Sequence, residues 1–107
     1  MDNSTITLLK QCIVREKSSI SELCYISDNF YDLLRLELKT LDEKYLNFTK
    51  DLLNEFIRIR HSKIVQFASV MKSGSIIEKN LSEEEKNLFF MIQYSTRLFY
   101  KTILQEN

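Results

Sequence analysis

Three bases and the chain's one histidine crowd into six residues, Arg58-Ile59-Arg60-His61-Ser62-Lys63. Such a cluster is the sequence's one candidate for holding phosphate, because fixed cations on a helix can track a nucleic-acid backbone. Helical spacing divides it, however. Arg60 and Lys63 fall among apolar positions, whereas Arg58 and His61 lie on the opposite side. A second cluster, Glu83-Glu84-Glu85, has the charge to hold a cation, but it follows Ser82 as the first turn of a helix, where acids are expected. Cys12 and Cys24 do not form a CxxC pair, and one histidine does not complete a zinc set with them, so they read as ordinary reduced thiols of an intracellular protein. His61 has no acid or nucleophile at a useful spacing and is expected in solvent. No Gly-rich phosphate loop, HExxH or GxSxG occurs. These patterns argue against an enzyme and give no reason to expect a metal or cofactor.

The element that must position Arg60 and Lys63 is the stretch from Asp51 to Met71, DLLNEFIRIRHSKIVQFASVM. Two adjacent rows of apolar residues run along it: Leu52, Phe56, Ile59, Lys63, Phe67 and Val70, then Leu53, Ile57, Arg60, Ile64, Ala68 and Met71. This is an amphipathic helix with two cations inside its stripe. An unpaired buried charge is prohibitively costly, so each must reach water or meet an acid on a neighbouring helix or subunit. On this reading Arg60→Ala impairs assembly without abolishing helicity.

Composition supports helices throughout. The chain has one Gly and no Pro among 107 residues, too few turn formers for an all-β fold. Fifteen basic and fifteen acidic residues cancel, which removes the general electrostatic case for nucleic-acid or membrane binding. No segment approaches the roughly 20 apolar residues of a membrane span. The N-terminus, MDNSTITLLKQC, lacks the basic start of a signal peptide.

Taken in order, Ser4–Arg15 predicts a short helix with Ile6, Leu9 and Ile13 on one side and Asn3, Ser4 or Thr5 as cap. The following EKSSISELCYIS is compatible with loop, helical turn or a brief extended piece. Ser27-Asp28 supplies cap residues for a helix carrying Phe30, Leu34, Leu38, Leu41, Tyr45 and Phe48 on one row. Unbroken from Asp28 to Lys72, that helix would reach about 68 Å, against about 30 Å for a domain of this size. A break is therefore expected within Asp42–Asp51, with Asn47 ending one helix and Thr49 capping the next. Lys72-Ser73-Gly74 is a helix exit with Gly at the left-handed position, and Ile76 and Ile77 are expected to fold back. Leu81-Ser82-Glu83-Glu84-Glu85 is a capping box opening a last helix to about Leu104.

That last helix is apolar on three faces. Leu88, Ile92, Ser95, Phe99 and Ile103 form one, Phe90, Tyr94 and Leu98 another, Phe89 and Tyr100 a third. Either this helix sits centrally in the bundle or part of it meets another chain, and a domain this small has little interior to hide all three faces, which favours the contact. The expected fold is all-α, a single helical domain over residues 1–107 with four to five helices, two of them long.

These segments resemble the helical A domain of the GINS family, non-enzymatic subunits of the replicative helicase complex. Ser27-Asp28-Asn29-Phe30-Tyr31 is similar to the acid-x-Phe-Tyr start of the family's second helix. Phe56–Ile64 resembles its central helix, with the Arg-x-x-Lys-Ile core at Arg60–Ile64. Leu81–Glu85 resembles the Leu-Ser/Thr-x-Glu-Glu opening of the last helix. Order and spacing agree over about Ser27–Leu104, although the family often has Pro where Ser27-Asp28 stands. Members usually add a small β-rich B domain. With the A domain leading it would follow Leu104, so the expectation is an A domain of the archaeal type whose C-terminal B domain is absent.

The resemblance implies a structural role, packing with other GINS subunits into a tetramer that bridges the MCM helicase and a RecJ-like partner, the latter bound weakly without a B domain. It implies no sequence-specific nucleic-acid contact and a cytoplasmic replisome, nuclear in a eukaryote. The interface residues expected are Phe30, Tyr31, Arg60, Lys63, Phe89, Phe90, Tyr94, Leu98 and Tyr100. Two rivals are a small nucleic-acid-binding protein using Arg58–Lys63 and a free-standing helical dimer.

Overall fold

The computed structural model of the chain describes residues 4–70 and 76–105. The described residues form four α-helices in succession: α1 (Thr5–Ser18), α2 (Phe30–Leu38), α3 (Glu43–Val70) and α4 (Glu83–Leu104), with a 3₁₀ turn at Ile76–Asn80 before α4. Among the described residues there is no strand. The all-α expectation holds, and so does the pair of long helices, with 28 residues in α3 and 22 in α4.

Helix α1 starts at Ser4, whose hydroxyl accepts from Thr7 N at 3.1 Å. A second cap comes from far along the chain. The Glu37 carboxylate accepts the Thr5 and Ile6 amides, at 2.6 and 3.1 Å, and so docks the end of α2 on the start of α1. The open EKSSISELCYIS stretch finishes α1 at Ser18 and continues as an irregular connector. Neither Ser27 nor Asp28 caps α2 with its side chain. Residues 28 and 29 form a turn, Asn29 is the cap position, and it makes no side-chain cap bond. Asp28 is engaged elsewhere: its carbonyl accepts Glu83 N at 3.0 Å and its carboxylate pairs with Lys86 at 2.8 Å.

The break between α2 and α3 falls at Lys39–Asp42, earlier than Asn47 and Thr49, which both lie inside α3. Short-range bonds explain the position. Thr40 returns its amide and hydroxyl to Glu37 O, and Asp42 accepts Tyr45 N at 3.2 Å as the cap of α3. The interruption resets the helical phase, so Tyr45 and Phe48 are exposed rather than continuing the buried row of Phe30, Leu34 and Leu38. The expected left-handed exit at Gly74 and the packing of Ile76 and Ile77 side chains lie outside the described residues.

Two apolar clusters fill the interior. Leu9, Cys12, Ile13, Ile26, Phe30, Leu34 and Phe56 form the first, between α1, α2 and α3. Leu23, Ile64, Ala68, Leu81 and Phe89 form the second, between α3 and α4. On α3 the buried positions Phe56, Arg60, Ile64 and Ala68 recur every four residues, so Arg60 stands on the rung between the two clusters.

Candidate functional site: a buried ion network and an uncovered helix

Arg60 is fully buried, with its guanidinium 5.4 Å from the centre of the Phe56 ring. Its five N–H groups are all used. Nε and Nη2 fork onto the two oxygens of Glu85, each at 2.6 Å. Nη1 donates to Glu16 Oε2 at 2.7 Å and Cys24 O at 2.8 Å, and Nη2 also reaches Asn80 O at 3.0 Å. Lys63 is as fully occupied. Its ammonium donates to Glu16 Oε1 at 2.6 Å and to the carbonyls of Glu16 and Glu22, each at 2.8 Å.

The acids are equally committed. Glu16 also accepts Cys24 N at 2.9 Å. Glu85 accepts the Tyr31 hydroxyl at 2.8 Å and closes the capping box through Ser82 N at 3.1 Å. Two cations and two carboxylates cancel inside the fold, linking α1, the connector, α2, α3 and α4. Burial works against the charge of Arg60, but Glu85 and Glu16 hold its pKa above the ordinary value. Burial and the Glu85 carboxylate push the Tyr31 phenol up as well, so it stays a hydrogen-bond donor.

Such an arrangement is poor at catalysis. A general acid or base needs a proton to exchange with something bound, and these donors and acceptors are spent on one another. His61 is exposed, as expected. A cleft of about 370 Å³ opens between α2, α3 and α4, walled by Leu53, Ile57, Ile64 and Leu88 with Tyr31, Arg35, His61, Glu84 and Glu85. Among the described residues no group of three or more His, Cys, Asp or Glu is placed to hold a metal, and no helix is long and apolar enough to cross a membrane.

The structure divides the residues expected at an interface. Phe30 and Phe89 are buried in the two cores, and Arg60 and Lys63 in the ion network, so these four are corrected to interior positions. The stripe-embedded cations find their acids within the chain. For Arg60→Ala the expected consequence moves accordingly from assembly to folding. The same burial dissolves the candidate phosphate-binding cluster: of its bases only Arg58 is exposed. Tyr31 is half-buried, whereas Phe90, Tyr94, Leu98 and Tyr100 are exposed.

Sequence reasoning missed Glu16 as the hub of the network. Its signal is an acid four residues after Cys12 and three after Ile13, on the inward face of α1. Glu85 was legible only as a cap, though it also holds Arg60.

Helix α4 begins beside the middle of α3, where Glu85 meets Arg60, and one turn on Phe89 joins the cluster of Ile64 and Ala68. It therefore runs toward the C-terminal end of α3, and Gln93 is its last buried residue. From Tyr94 to Leu104 only Thr96 is even half-buried, and Tyr94, Leu98, Phe99, Tyr100, Ile103 and Leu104 are each more than half exposed. Phe90 and Met91 extend this apolar surface back along the helix. The family model for the GINS complex protein helical bundle domain (Sld5) matches residues 5–104. No curated protein and no solved structure shows a match.

Proposed function

The chain belongs to the GINS family of helical-bundle proteins, and from that premise we propose that it is a scaffold subunit whose α4 tail is covered by a sister subunit. Membership makes it a subunit of the GINS replication complex with other GINS subunits as partners, in a family that is structural and non-catalytic. The observation that carries the finer reading is the two-sided apolar exposure of α4 beyond Gln93. A soluble chain rarely leaves that many aromatic and aliphatic side chains uncovered on one helix unless a partner packs there. Phe90, Tyr94, Leu98 and Tyr100 are the contact residues in this reading, with Tyr31 in the cleft at the start of α4.

The assembled tetramer would then bridge the MCM ring motor and a RecJ-like partner. Helical residues 5–104 are the A-domain type of bundle. In this reading they support assembly with sister subunits more strongly than recruitment of the RecJ-like protein, which draws on a B domain. Family membership supports the sister subunits as partners, and the burial of Arg60 and Lys63 weighs against the rival nucleic-acid reading.

Co-expression with candidate sister subunits, followed by size-exclusion chromatography with light scattering, tests the proposal. A hetero-oligomer of fixed stoichiometry is expected. A monodisperse monomer in the presence of every sister subunit would refute it, and steeply salt-dependent DNA binding by the isolated chain would favour the rival.

A further inference from the structure

We propose that Cys12 and Cys24 are a dithiol that closes reversibly to a disulfide, clamping the α1–α2 connector onto α1. Their sulfurs lie 2.8 Å apart, with both thiols free. A disulfide bond is about 2.05 Å long, so closure needs little movement of either side chain. The proximity is built in rather than a chance meeting of loop and helix. Cys12 is buried on the inward face of α1, and the peptide of Cys24 is held on both sides by the ion network. Its N–H donates to Glu16 at 2.9 Å, and its carbonyl accepts from Arg60 at 2.8 Å.

Access assigns the order of events. Cys24 is partly exposed whereas Cys12 is buried, so a small-molecule disulfide RSSR meets Cys24 first. The Cys24 thiol loses its proton to solvent and attacks one sulfur of RSSR, expelling one RS⁻ and leaving a Cys24–SR mixed disulfide. Cys12 then gives up its proton and attacks the Cys24 sulfur, expelling the second RS⁻. Each RS⁻ takes a proton. Two electrons and two protons pass from the cysteine pair to RSSR, which leaves as two RSH. Burial, and Cys24 beside it, push the Cys12 thiol up to about 12, which slows the second step and makes the mixed disulfide observable. The closed ring spans residues 12–24 and so encloses Glu16 and Glu22, which hold Lys63, at the base of the connector.

The test treats the folded full chain with oxidised glutathione at pH 8 and follows it by intact mass and peptide mapping. A glutathione adduct at Cys24 should appear and decay to a product two hydrogens lighter than the reduced chain. That product should resist alkylation until dithiothreitol restores it, and its thermal unfolding midpoint should lie several degrees above that of the reduced chain. Cys12→Ser should stop at a lasting Cys24 adduct. If that variant does not fold by circular dichroism, the wild-type peptide map decides alone. A persistent adduct in the wild type with Cys12 still open to alkylation would overturn the proposal. Reaction only after denaturation, or disulfide-linked dimers through Cys24, would overturn it equally.

Discussion

Glu16 is the residue on which the interior charge balance turns, because among the described residues it alone pairs with both Arg60 and Lys63. Buried ion pairs add little over well-packed apolar residues, yet removing one partner strands a charge at a cost of about 3–5 kcal/mol. Glu16→Ala leaves Arg60 with Glu85 but Lys63 with backbone carbonyls only, and should lower the free energy of urea unfolding by that amount. Against a total of about 5–15 kcal/mol for a domain, the variant should be marginally folded. A second expectation concerns pH. The Tyr31 and Cys12 pKa values are raised in the fold, so their neutral forms contribute stability that is fully present below the unfolded values and lost as pH rises. With Cys12 moving from 9.0 to about 12 and Tyr31 upward from 10.0, the urea midpoint should be flat near pH 8 and fall above about pH 9. In Cys12→Ala the onset should shift toward pH 10, where Tyr31 begins to titrate. From sequence, Arg60 and Lys63 were legible as cations that needed acids, since their apolar spacing is local. Glu16 lies 44 residues from Arg60, and no local pattern specifies which acid the fold delivers to it.

At the scale of elements, helix ends were more legible when their signals were chemical than when they rested on length. The capping box at Ser82 and Glu85 forms with both bonds in place, because cap and partner sit three residues apart wherever the helix goes. Ser82 is fully buried, so Ser82→Ala removes the acceptor for Glu85 N and should cost about 1 kcal/mol. Hydrogen exchange should speed up in the first turn of α4, while α1 keeps its protection. The break between α2 and α3 was inferred correctly in kind but misplaced, since a length argument says that a helix must end and nothing about where. Thr40 and Asp42 carried the answer, as a hydroxyl returning to Glu37 O and a carboxylate capping Tyr45. The connector is not legible in the sequence because Glu22, Leu23 and Cys24 have no periodicity. Their backbone is shaped instead by Arg60, Lys63 and Asn80, which take the carbonyls of Cys24, Glu22 and Leu23.

The whole molecule is longer and more open than its size requires. It measures 55 × 23 × 19 Å, with a radius of gyration of 16.2 Å against about 13 Å for a compact chain of this length. Its accessible surface is 7687 Å², compared with about 6,300 Å² for a compact monomer of the same mass. The excess of about 1,400 Å² exceeds the share of about 800 Å² that one partner contributes to a standard interface. The tail of α4 accounts for its character, since side chains that would be core in a shorter helix stand in water there. Substitutions on the two halves of this helix should therefore separate folding from assembly. Phe89→Ala empties a fully buried site and should cost about 3–5 kcal/mol of stability. Leu98→Glu alters a side chain 52% exposed and should change the stability of the isolated chain by no more than about 0.5 kcal/mol. If α4 packs against a sister subunit, burying that carboxylate should weaken assembly by at least about 2 kcal/mol, roughly 30-fold in the dissociation constant. Titrations of wild type and Leu98→Glu against the co-purifying subunit, paired with urea melts of each alone, measure both quantities. Equal affinities for the two chains would place the partner on another face of the bundle.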